Sequence, residues 1–91
     1  MYVDITRLKF LQLCVLKLEE ACATVLREYR KNAGLSQHAL AYAANINHNN
    51  VSLYETADRL PSLATLFAIC SVLRLPPEQF IREVARLKPE L

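Results

Sequence analysis

One glycine in 91 residues, and a run from Val3 to Ala33 with neither glycine nor proline, leave this chain few places to reverse direction. Left-handed backbone and helix termination normally call on such residues, so the breakers that do occur mark where elements end. Gly34 stands where the residue just past a helix C-terminus would stand. Ser36 follows as an N-cap, which predicts a short helix over about 36–44. Asn45 is the natural non-glycine choice for a left-handed turn residue, and Asn47 caps a second short helix over about 47–56. After the loop TADRLP, Ser62 caps a helix running to about Arg74. Pro76-Pro77 breaks that helix, and Pro77 suits the first turn of a last one over about 77–87. The expectation is an all-α fold of five helices, the first of them an extended N-terminal helix reaching back toward Val3.

Helices of two or three turns do not hold alone in water, so they must share a core. The sequence offers one: 53% of the residues are hydrophobic. Leu40, Ala41, Ala44, Ile46, Val51 and Tyr54 supply the short helices' share. Leu63, Leu66, Phe67, Ile69, Cys70 and Leu73 form an apolar stripe at helical spacing. The cysteines Cys14, Cys22 and Cys70 form no CxxC pair and leave an odd thiol, which reads as a reducing cytoplasm with cysteines used as small core residues. Together with His38 and His48 they match no zinc-ligand spacing, so neither metal nor cofactor is expected. The N-terminal RLKFLQLCVLKLEEACA resembles neither a signal peptide nor a membrane span, because Lys9, Gln12 and Lys17 punctuate its apolar run. No nucleophile–base pair or phosphate loop is visible, and the expectation is a cytoplasmic protein that is not an enzyme.

Net charge is only +2, and no segment is strongly basic. Residues 1–35 carry six Lys/Arg against four Asp/Glu, residues 36–75 two against two, and residues 76–91 three against three. Any binding to nucleic acid must therefore rest on a few placed contacts rather than on a polybasic field. Against that background the stretch NINHNN at 45–50 stands out. Amides cost helical propensity, and a surface that accepts the cost has a use for them.

From Leu26 to Ile81 the chain resembles the lambda-repressor-like helix-turn-helix family (the Cro and XRE-type regulators). The match is ungapped across G-L-S-Q, L-A, the turn, V-S-x-Y-E and P-S-L-x-T-L. The resemblance implies a positioning helix at 36–44 and a recognition helix at 47–55 lying in the DNA major groove. It places His48, Asn49 and Asn50 toward base edges, where an amide can pair adenine N6 and N7. Ser52 and Leu53 take the next exposed turn, and Leu53, where the family often carries a polar or basic reader, would touch a thymine methyl. Gln37 and Asn47 match phosphate-facing positions at helix N-termini, although an asparagine at 47 is more often simply a cap and one at 45 simply a turn residue. Arg59, in the loop after the recognition helix, is the best phosphate contact, with Arg27 and Lys31 behind it. Ala57 replaces the family's usual glycine, which puts the direction of Arg59 in question. The resemblance also implies a structural ion pair between Arg30 and Glu55.

Residues 1–25 lie outside the motif. Their apolar positions, from Leu8 to Cys22, fall on nearly every side of a helical wheel, which predicts a dimerisation segment ahead of a DNA-binding domain at 26–91. A short strand from Tyr2 to Ile5 and a helix that merely covers its own domain are the alternatives. The reading is a sequence-specific regulator of transcription, binding double-stranded DNA as a homodimer on a palindromic operator. The rival is a protein-interaction module, antitoxin-like or an adaptor, with a degenerate helix-turn-helix and a partner docked on the apolar N-terminus.

Overall fold

The computed structural model describes residues 16–90; residues 1–15 and Leu91 lie outside the described residues. Five helices follow one another: α1 (Leu18–Asn32), α2 (Gln37–Ala44), α3 (His48–Glu55), α4 (Leu63–Leu73) and α5 (Pro77–Arg86). No named strand occurs among the described residues. Among the described residues the all-α, five-helix expectation holds, with each boundary from α2 onward within a residue of its sequence signal. None of the helices among the described residues is long and apolar enough to cross a membrane.

Two readings of the N-terminus need correction. An uninterrupted helix from Val3 is not formed: α1 starts at Leu18, and Lys17 before it is extended (φ −81°, ψ 164°). The cause is local. The Lys17 backbone N–H donates to Glu20 Oε1 at 2.8 Å, a bond that caps the helix start. Lys17 also pairs with Glu90 in a parallel bridge, where Glu90 N–H donates to Leu16 O at 2.7 Å. Nor does the folded unit begin at residue 26, because Ala21, Cys22 and Val25 are buried in the common core. The alternative of a strand at 2–5 and the apolar positions before Leu16 lie outside the described residues.

The core gathers Leu26 of α1, Leu40 and Ala41 of α2, Val51 and Tyr54 of α3, Leu66, Ile69 and Cys70 of α4, Leu75, and Phe80 and Val84 of α5. Helix α3 packs on α1 and α2, α4 on α2 and α5, and α5 closes on α1. Cys22 and Cys70 are free and buried. Burial pushes the Cys22 thiol up to about 11, with the neighbouring Cys70 adding to the rise, so it packs as a neutral apolar group. The apolar stripe of α4 is wider than the face its neighbours cover. Leu63 and Phe67, expected inside, are 69% and 54% exposed.

Each helix end turns through a residue of positive φ: Gly34 (74°), Asn45 (59°), Ala57 (66°), Arg74 (55°) and Lys88 (51°). Only one is glycine. At the other four the left-handed backbone costs about 1–2 kcal/mol per residue, less for asparagine. The next residue shows what three of these turns gain. Leu35, Ile46 and Leu75 fold back onto the core, and their N–H groups donate to Arg30 O, Ala41 O and Cys70 O at 3.2, 2.9 and 2.9 Å. In a chain nearly free of glycine, three of these five reversals are thus held by tertiary packing.

Candidate nucleic-acid interface

Helix α3 is eight residues long and has two unlike ends. Its N-terminus is capped by Asn47, whose Oδ1 accepts from Asn49 N–H at 2.8 Å. The cap role of Asn47 is therefore observed, as it is for Ser36, whose Oγ accepts from Ala39 N–H at 2.9 Å. Asn45 occupies the left-handed turn between α2 and α3. Val51 and Tyr54 face the core, which leaves His48 and Asn49 exposed and Asn50, Ser52 and Leu53 half-buried. One helix thus presents the group that the family resemblance directs to base edges.

The C-terminal end is sealed. Glu55 is buried, and Arg30 of α1 grips it bidentately, with Nε 2.5 Å from Oε2 and Nη2 2.9 Å from Oε1. The third guanidinium nitrogen, Nη1, donates to Leu35 O at 2.7 Å, which ties the α1–α2 joint to the same ion pair. Arg27 Nη1 donates to the backbone carbonyl of Glu55 at 2.9 Å, and Gln37 Nε2 donates to Oε1 at 3.0 Å. The expected pairing of Arg30 with Glu55 is present. The sequence missed that Gln37 and Arg27, read as phosphate candidates, also hold Glu55, Gln37 through its carboxylate and Arg27 through its backbone carbonyl. With both carboxylate oxygens hydrogen-bonded, the buried charge is compensated, the condition under which such a pair holds two elements in fixed register.

Arg59 is exposed and comes within 3.5 Å of Asn50 Oδ1 through Nη1, a long contact that places it beside α3. Ala57 keeps the positive φ that the family's glycine would adopt, so the replacement does not carry Arg59 away from the helix. Lys31 is exposed on α1. His38 was given no role in DNA reading by the sequence, yet its ring stacks on that of His48, centroids 4.1 Å apart and planes 23° apart. No sequence signal marks the pair, because the two residues lie on different helices and meet only through the turn. Among the described residues no cluster of three or more potential metal ligands occurs.

This geometry has known counterparts. The ClgR regulator of the clp gene from Corynebacterium glutamicum is 26% identical, with a TM-score of 0.71 over 75% of this chain and 72% of that one. The restriction-modification controller protein C.AhdI from Aeromonas hydrophila is 27% identical, with a TM-score of 0.66 over 68% of this chain and 94% of its own. The controller protein C.Esp1396I, in a tetramer complexed with its natural 35 base-pair operator, shares the fold at 23% identity and a TM-score of 0.69, over 77% of this chain and 92% of its own. Among curated proteins no sequence matches. The family model described as a helix-turn-helix domain matches residues 22–80, spanning all of α2, α3 and α4 and the capped turns between them; the chain belongs to the helix-turn-helix family, in its lambda-repressor-like form.

Proposed function

We propose that this chain is a sequence-specific regulator of transcription that lays α3 in the major groove of double-stranded DNA and acts as a dimer on a palindromic operator. The observation that carries the reading is the asymmetry of α3. Its far end is locked by the Arg30–Glu55 pair while its first turn leaves His48 and Asn49 exposed. A reading helix needs this combination, since base hydrogen bonds discriminate only when the helix cannot tilt to accommodate the wrong base. In this reading His48, Asn49 and Asn50 meet base edges, Ser52 and Leu53 extend the contact, and Gln37, Asn47 and Arg59 meet phosphate. Between Ser36 and Asp58 the chain has no Lys or Arg, so affinity should fall only gently with salt. The similarity to ClgR and C.AhdI, both regulators by name, supports the same class.

The test starts with selection of bound sequences from random duplexes. On the selected duplex, His48→Ala and Asn49→Ala each lose about 1–3 kcal/mol of binding, with little change on unrelated duplex. Equal losses on both duplexes, or none on either, would remove the base-reading role.

Dimerisation rests on the apolar composition of residues 1–25, whose first fifteen lie outside the described residues. It is checked by light scattering of the full chain. Wild type runs as a dimer and Leu13→Glu as a monomer that keeps half-site affinity but binds the palindrome far more weakly. The last helix offers a poorer interface, since Phe80 and Val84 are buried in their own core and only Ile81 of the three is open. A protein-interaction module is the second reading, favoured by the exposed Leu63, Phe67 and Ile81 and the uncharged reading face. Retention on heparin and the A260/A280 of untagged protein separate the two.

A further inference from the structure

The stack of His38 on His48 lies outside the core. Both rings are exposed, one on the first turn of α2 and one at the first residue of α3, and neither makes a hydrogen bond to another described residue. They share a surface groove whose walls are Ala41, Tyr42 and Ile46, with Asn47 and Asn49 at its edge. No Lys, Arg, Asp or Glu lines that groove, so recognition there would depend on hydrogen-bond geometry rather than on charge.

The stack limits what the pair can do. Rings 23° from parallel carry their in-plane nitrogens side by side, so the lone pairs do not converge on one point as metal ligation requires. What remains free is the edge of each ring. An exposed histidine at a helix N-terminus ordinarily sweeps through its rotamers. Here one face of His48 lies against His38, which holds the plane of its ring and so the direction of its N–H.

We infer that His38 is a positioning residue for His48, and that the stacked pair lets His48 donate one hydrogen bond to N7 of a purine in the major groove. This rests on the DNA-binding reading above. N7 is an acceptor on both adenine and guanine and is absent from both pyrimidines. A single donor held in one direction therefore reads purine against pyrimidine. The amide of Asn49, which can donate and accept together, is placed beside it to choose between adenine and guanine. His38 contributes by removing orientational freedom before the DNA arrives, not by touching a base.

The experiment uses the full chain and the selected duplex, with each purine replaced in turn by its 7-deaza analogue, which lacks only the N7 acceptor. Wild type should weaken about five- to tenfold at one purine per half-site, the loss expected for one hydrogen bond. His48→Ala should be insensitive at that position. His38→Ala should weaken the selected duplex about three- to tenfold and blunt the 7-deaza effect there, with unrelated duplex and thermal unfolding unchanged. His38→Phe keeps a ring to stack on and should restore wild-type behaviour. The inference is overturned if no 7-deaza position affects wild type, if His38→Ala binds as wild type, or if His38→Phe is as weak as His38→Ala. A selection that yields no preferred duplex would instead overturn the DNA-reading role itself, and this inference with it.

Discussion

The two ends of α3 are built on opposite principles. At Glu55 five polar contacts, drawn from Arg27 and Arg30 of α1, Gln37 of α2 and the Leu35 carbonyl, converge on or around one buried carboxylate. At His48 and Asn49, eight residues or fewer away, the side chains face outward with one cap bond and one ring stack between them. The sealed end allows little substitution, because every group there leaves another unpaired when it is removed. The open end can change its side chains without disturbing the core. In the DNA-reading role proposed above, a helix that must keep one orientation gains from this division, since specificity can vary without loss of stability.

The largest test of the contrast is at the sealed end. Glu55→Ala strands a buried guanidinium, and Arg30→Ala strands a buried carboxylate. Each should cost about 3–5 kcal/mol in urea or thermal unfolding. The double alanine variant should cost less than the sum, and Arg30→Met with Glu55→Leu should recover much of the loss by packing instead of charge. Small, additive losses would show that the pair does not act as a clamp.

Asn47→Ala probes the boundary between the two ends, since Asn47 caps α3 and also lies among the residues proposed to meet DNA. Loss of its bond to Asn49 N–H should lower stability by about 1 kcal/mol. If Asn47 also meets phosphate, binding to selected and unrelated duplex should weaken by the same factor. A change confined to the selected duplex would make it a base reader and shift the open end by one residue.

The same contrast explains what the sequence disclosed. Ser36, Asn47 and Ser62 cap helices through bonds to N–H groups two or three residues on, and local chemistry of that kind is readable from the residues alone. The Arg30–Glu55 pair became legible only through the family resemblance, because nothing local joins residues 25 apart. The start of α1 was not legible: a run free of glycine and proline permits a helix from Val3, and it takes the Glu20 cap on Lys17 and the pairing of Lys17 with Glu90 to show why it begins at Leu18. The exposure of Leu63 and Phe67 was hidden for a related reason, since helical spacing gives the stripe but not how much of it neighbours cover. His38 escaped because its contact exists only once α2 and α3 have met.

The smallest expected effect lies just beyond the sealed end, at Ala57. This residue ends α3 with φ 66°, a conformation in which its Cβ crowds the backbone. The turn closes through Asp58 N–H to Leu53 O at 2.9 Å, and its hydroxyl neighbour Thr56 lies 2.6 Å from the Asp58 carboxylate. Unlike the turns at Asn45 and Arg74, it places no apolar residue on the core, because exposed Asp58 follows. Strain here is offset by local polar contacts alone. Ala57→Gly removes about 1–2 kcal/mol of left-handed strain and adds back about 0.4–1 kcal/mol through the freer unfolded chain. The variant should therefore gain about 0.5–1 kcal/mol, read as a small rise in the urea midpoint with an unchanged slope. Its binding should not move, since the turn already has the shape that glycine would take. A loss of stability would mean that the turn relaxes away from positive φ in solution, and that Arg59 is not held beside Asn50. In that case the sealed end of α3 would stop at Glu55 and the loop behind it would belong to neither region.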